Sequence, residues 1–177
     1  MQNFQEFLEN SLQQNIKKLV PLTGGASADI NRIILENNNE LIVRRSLSKE
    51  QSVMAVPKKL EAKIQRIVRS NDAPVPEIIF EFSEDEDIGE GYVMEAIPGE
   101  TIPRKILRDD KYKNVRSKLS FEIGRSLATI HQTKLDELTD LDSVTFEESL
   151  KKLYLVYSSF EQPQPVFELA FKWLETQ

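Results

Sequence analysis

Every strand-like segment of this 177-residue chain lies before residue 99, and every patterned segment after it reads as helix. Strands and helices segregated along a chain build an α+β fold, because an α/β fold needs the two to alternate. The shift near Gly99 predicts two parts, a strand-bearing lobe over residues 1–98 and the start of a helical lobe over 99–177.

The spacing predicts the elements in turn. Phe4, Phe7, Leu8, Leu12 and Ile16 recur at three- and four-residue steps, one apolar face of an opening helix. Residues 19–22 run into Gly24-Gly25, and Ile30 with residues 32–35 reads as a strand. Three asparagines at 37–39 signal a tight turn, since Asn tolerates positive φ. Residues 41–45 form the returning strand, so 20–45 is a three-stranded meander or two hairpins. A helix fits 49–70, with Leu60, Ile64, Ile67 and Val68 on one face and Lys58, Lys59, Lys63 and Arg66 on others. Pro74 and Pro76 punctuate its exit. Strands fit 78–82 and 92–94, the second stopped by Pro98-Gly99, with an acidic loop at 83–87 between them. Helices fit 103–107, 111–131 (Leu119, Ile123, Leu127 and Ile130 on one face), 145–159 and 164–175.

Composition excludes several classes of function. The net charge of −6 disfavours non-specific binding to nucleic acid or an anionic membrane, while leaving room for a local basic pocket. With no Cys there is no disulfide or thiolate, and a single His cannot build a multi-His zinc site. The N-terminus lacks the pattern of a signal peptide and no apolar run approaches a membrane span, so a cytoplasmic protein is expected. The acidic run at 84–87 lacks the alternating ligands and central Gly of a calcium loop and reads as solvated. Asp109-Asp110 reads as a helix N-cap.

Three features carry chemistry. Gly24-Gly25-Ala26-Ser27 lies between strands, where glycine serves plain turn geometry or brings backbone N–H groups and the Ser27 hydroxyl to phosphate. A strand follows it, which excludes both the Walker loop and the dinucleotide fingerprint, each of which opens a helix. Ile42 and Arg44 share a strand face by alternation. Arg44 is then an edge cation in water, or it pairs with Glu61 and reaches phosphates through its planar fork; Arg45 is expected to point the other way, into water. The segment Met94-Glu95-Ala96-Ile97 ends a strand abruptly, as a simple exit or as a donor–acceptor edge for adenine from the Glu95 carbonyl and the Ile97 N–H, with Met94 behind the ring.

In this order the features resemble the aminoglycoside phosphotransferase and choline kinase-like superfamily, and within it the bacterial branch that includes kinase-like domains found beside acyl-CoA dehydrogenases. The matching stretches are LTGGAS at 22–27, LIVRR at 41–45, KLEAKIQRIV with Glu61, APVPEIIF at 73–80, GYVMEAIPGETIPRKIL at 91–107, IGRSLATIHQ at 123–132 and PVFELAFKWL at 165–174. The resemblance implies a bilobal protein kinase-like fold with an antiparallel N-lobe sheet. It implies transfer of the ATP γ-phosphate to a small-molecule hydroxyl with Mg²⁺ as bridge; the acceptor is not readable, the branch leaning to a hydroxyacyl-CoA or another metabolic alcohol over an antibiotic. The phosphate turn maps onto Gly24, Gly25 and Ser27, the strand cation onto Arg44, its partner onto Glu61, and the adenine edge onto Met94, Glu95 and Ile97. The family's His-Gly-Asp, four residues, Asn, and its later metal-binding Asp, are absent from these 177 residues; the one His, His131, has a capping or packing role. The resemblance therefore implies an N-terminal portion, inactive alone and awaiting a C-terminal portion; the other reading is a degenerate module that binds nucleotide or a partner without turnover.

Overall fold

The computed structural model describes residues 3–22, 29–47, 56–83, 88–134, 136 and 144–176. The element order is helix α1 Phe4–Leu12, strands β1 Ile16–Pro21, β2 Asp29–Leu35 and β3 Glu40–Ser46, helix α2 Lys58–Ser70, strands β4 Ile78–Ser83 and β5 Glu90–Glu95, then helices α3 Pro103–Arg108, α4 Lys113–His131, α5 Phe146–Ser159 and α6 Pro165–Leu174. The strands form one antiparallel five-stranded sheet in the order β1-β2-β3-β5-β4. The fold is α+β.

The first three strands are a meander. Its β2–β3 turn uses Asn38 at φ 63°, with the Asn38 N–H donating to the Leu35 carbonyl (2.9 Å) and the Asn39 N–H to the Asn37 side chain (2.9 Å). The opening helix is shorter than its apolar spacing predicts. Gln13 takes a left-handed conformation at φ 53° and ends α1, so Ile16 starts β1 instead of closing the helix face. Glu9 fastens the junction by accepting the Ile16 N–H at 2.9 Å.

Alternation gives the sheet two different faces. One packs on α1: Leu8, Ile33, Val43 and Val93 are fully buried, with Ile16, Leu35, Phe82 and Ile88 around them. Each such side chain contributes about 1.5–3 kcal/mol by leaving water. Arg45 lies on this face and is not in water. Its guanidinium sits 3.6 Å from the Phe4 ring centre and its Nε donates to Asp29 at 2.7 Å, because the α1 aromatics close over the strand end. The other face carries α2, whose Ala62 packs with Ile78, Tyr92 and Met94. The buried stripe of α2 is Lys58, Ala62 and Val68, with Glu61 and Gln65 beside it, whereas Leu60, Ile64 and Ile67 are half-buried. The expected placing of Lys58 away from the packed face is thus corrected.

The chain forms two compact units, Met1–Leu138 and Thr139–Gln177. In the first unit, α3 and α4 are joined by a 3-10 turn at Asp110–Tyr112, and Arg116 ties them by donating to the Ile106 and Asp109 carbonyls. Asp109 precedes that turn, but its side chain makes no cap bond. No residue of α4 is buried, and Ile123 and Leu127 of its apolar face are about half exposed (52% and 48%). His131 ends α4 on the surface. In the second unit, Thr145 and Glu148 form a capping box on α5, and Tyr154, Tyr157, Phe167 and Phe171 pack as an aromatic cluster between α5 and α6. A groove of about 500 Å³ there is lined by Phe146, Leu150, Tyr154, Leu155 and Leu174. Among the described residues, no helix is long and apolar enough to cross a membrane.

Candidate functional site

The α2 face of the sheet brings together residues far apart in sequence. In the β3–β5 register, Ile42 lies opposite Met94 and Arg44 opposite Tyr92, so the four share one face. Helix α2 runs above them and lowers Glu61 into the group. Arg44 Nε donates to Glu61 Oε2 at 3.0 Å, and the Tyr92 hydroxyl donates to the same oxygen at 3.2 Å. Lys58 Nζ donates to the other oxygen, Oε1, at 2.6 Å.

The electrostatics follow from this geometry. Burial alone would raise the Glu61 carboxyl, but hydrogen bonds and charges from Lys58 and Arg44 outweigh it and hold the group below the usual carboxylate range. Tyr92 is pushed up to about 12, first by burial and then by the negative charge of Glu61. At neutral pH the cluster therefore holds two cations, one carboxylate and a neutral phenol. Arg44 has a side-chain exposure of 24% and Lys58 of 7%, so Arg44 is the cation with access to solvent. The Arg44 Nη groups have no acceptor among the described residues. Donors held open beside a carboxylate that cannot move away suit a phosphate oxygen.

The strand exit lies at the other end of β5. The Glu95 N–H donates to the Glu77 carbonyl at 2.9 Å, and its carboxylate accepts the Glu77 N–H at 3.3 Å with Arg69 at 3.9 Å. Met94 packs under α2 with Gln65 Nε2 3.7 Å from its sulfur. Ile97 is exposed and its N–H has no partner among the described residues. Gly24, Gly25 and Ser27 lie outside the described residues; the strands that flank them, β1 and β2, are antiparallel neighbours. Beyond the exit, Glu100 accepts the Ile102 N–H and pairs with Lys105, while Arg104 and Arg108 face water.

Two members of the cluster are missing from the sequence reading, Lys58 and Tyr92. Lys58 stands three residues before Glu61, a helical neighbour spacing that signals a shared face. Tyr92 stands two residues before Met94, so strand alternation puts both on one side. Among the described residues, no group of three or more His, Cys, Asp and Glu could hold a metal ion.

No curated protein matches the chain. Residues 18–176 match the model of the phosphotransferase enzyme family, which spans both the sheet and the helices that follow it. With its kinase-like antiparallel sheet and subsequent helices, the chain belongs to the phosphotransferase enzyme family.

Proposed function

We propose that this chain supplies the nucleotide-binding portion of an ATP-dependent phosphotransferase acting on a small-molecule hydroxyl. In this reading residues 1–98 are the nucleotide lobe and 99–177 begin a helical lobe. The observation that carries it is the Arg44–Glu61 bond, which fixes a partly exposed guanidinium through Nε and leaves its Nη donors without an acceptor among the described residues. Arg44 would take the phosphates, with Gly24, Gly25 and Ser27 as further donors on the β1–β2 connection. Ile42 and Met94 give an apolar patch, and the Glu95 carbonyl and Ile97 N–H an edge for adenine. The described residues offer donors for a nucleotide, and no group of three or more His, Cys, Asp and Glu gathers among them to hold Mg²⁺. When bound, ATP supplies the transferable phosphoryl group; these residues bind and orient it. A cytoplasmic setting, where ATP and metabolic alcohols are abundant, belongs to the same reading.

The same Arg44–Glu61 geometry also suits a second reading, a module that binds nucleotide without turnover. Phosphoryl transfer depends on positioning and on neutralising charge, so a chain without base and metal ligands is expected to bind and not react. One calorimetric titration tests the shared part of both readings. Arg44→Ala is expected to weaken ATP binding by roughly 1.5–3 kcal/mol, the loss of a charged hydrogen bond. Unchanged affinity would remove Arg44 from the nucleotide site. A coupled assay with ATP, Mg²⁺ and candidate alcohols is expected to give no turnover by this chain alone; turnover would show that a base outside the family pattern is present.

A further inference from the structure

A simple Arg–Glu pair is electrically neutral and closes on itself, because the guanidinium fork matches both carboxylate oxygens. The site here is different. Glu61 Oε1 is taken by Lys58 at 2.6 Å, and Oε2 is shared by Arg44 Nε and the Tyr92 hydroxyl. We propose that Lys58 is a positioning residue of the phosphate site: by holding Glu61 Oε1 it turns the carboxylate so that Arg44 meets Oε2 through Nε, and it leaves the Arg44 Nη groups, with one positive charge in excess of the Glu61 carboxylate, for a polyphosphate chain. This rests on the nucleotide reading above.

Three observations carry it. Lys58 has a side-chain exposure of only 7%, so it acts through Glu61 and does not present its ammonium to a ligand. A buried lysine needs an anion, and Glu61, one helical turn away, supplies it. The Tyr92 hydroxyl shares Oε2 with Arg44 Nε and adds no charge, so Lys58 and Arg44 together outnumber the Glu61 carboxylate by one. With Lys58 removed, both Glu61 oxygens become available to the guanidinium, and the site collapses to a neutral pair.

The test is calorimetry on the whole chain with inorganic tripolyphosphate and, separately, adenosine. Lys58→Met is expected to weaken tripolyphosphate binding about tenfold and to leave adenosine within about twofold, since only the charged end of the site is altered. Damage that was merely structural would weaken both. Lys58→Met/Glu61→Gln removes the stranded carboxylate but keeps an acceptor for Arg44 Nε, and it decides the matter even if the single variant does not fold. It is expected to bind tripolyphosphate within about threefold of the unaltered chain, because the Arg44 charge is again unbalanced. A double variant that stays about tenfold weak overturns the action through Glu61. If Arg44→Ala loses affinity while Lys58→Met does not, this proposal fails and the nucleotide reading stands. If the unaltered chain binds neither tripolyphosphate nor ATP, both fail.

Discussion

Tyr92 shows how one residue couples the site to stability. Its hydroxyl donates to Glu61 and its raised pKa means that the folded chain holds the phenol proton more tightly than the unfolded chain does. Between the ordinary tyrosine value of 10.0 and about 12 the unfolded state has lost the proton and the folded state has not, so stability falls as pH rises through that window. Tyr92→Phe is expected to cost about 1 kcal/mol at neutral pH and to flatten this alkaline decline, as read by urea unfolding at a series of pH values. Glu61 behaves oppositely. Its lowered pKa contributes stability that is present above the ordinary 4.5 and is lost as pH falls through the folded value. Glu61→Gln is expected to remove that part of the acid loss; an unchanged acid limb would mean that the ion pairs add nothing to folding. At this scale the sequence offers Arg44 two places, water at a strand edge or the Glu61 carboxylate, of which the structure gives the second. It hides Arg45, which reads as solvated but stacks on Phe4, since the ring arrives from a helix forty or so residues earlier by chain contact that periodicity does not encode.

Elements depend on small residues and caps placed where chains approach closely. Gly91 lies in β5 under Phe82 and beside Arg45, and a Cβ there would stand 2.6 Å from the Arg44 carbonyl oxygen and 2.6 Å from Phe82 Cζ. Gly91→Ala is therefore expected to destabilise by about 1–3 kcal/mol through overpacking, measured as a shift in the urea midpoint. Neither Gly91 nor the contact is evident from composition, because a glycine in a strand reads as weak pattern until the facing strand is known. Helix starts are more legible. Thr145 and Glu148 have the spacing of a capping box and form it, whereas Asp109-Asp110 has cap composition and forms no side-chain cap. Thr145→Ala is expected to cost about 1 kcal/mol of α5 stability, seen as lost helicity by circular dichroism. The difference is that the 3-10 turn at Asp110–Tyr112 comes between: Tyr112 takes the N-cap position of α4, and Asp109 stands extended before the turn.

Burial is uneven along the molecule: the sheet is well buried, whereas the helices after it bury little of their own. The sheet core centres on four fully buried residues, Leu8, Ile33, Val43 and Val93, whereas α4 and α5 have none buried. An apolar helix face in water promotes association. Ile123→Lys/Leu127→Lys is expected to change unfolding free energy by no more than about 0.5 kcal/mol while reducing self-association in sedimentation velocity. A large loss of stability would mean that this face is packed in solution. The sequence by itself determined the order and kind of the elements, the α+β class, the helical spacing of α4 and the shared strand face of Ile42 and Arg44, because periodicity acts over a few neighbouring residues. The tertiary structure alone decided which face of α2 closes on the sheet, and with it that Lys58 and Tyr92 join Arg44 around Glu61. That choice depends on the β3–β5 register and on the seating of α2 over β4 and β5, which arise from long-range packing and leave no repeat in the chain.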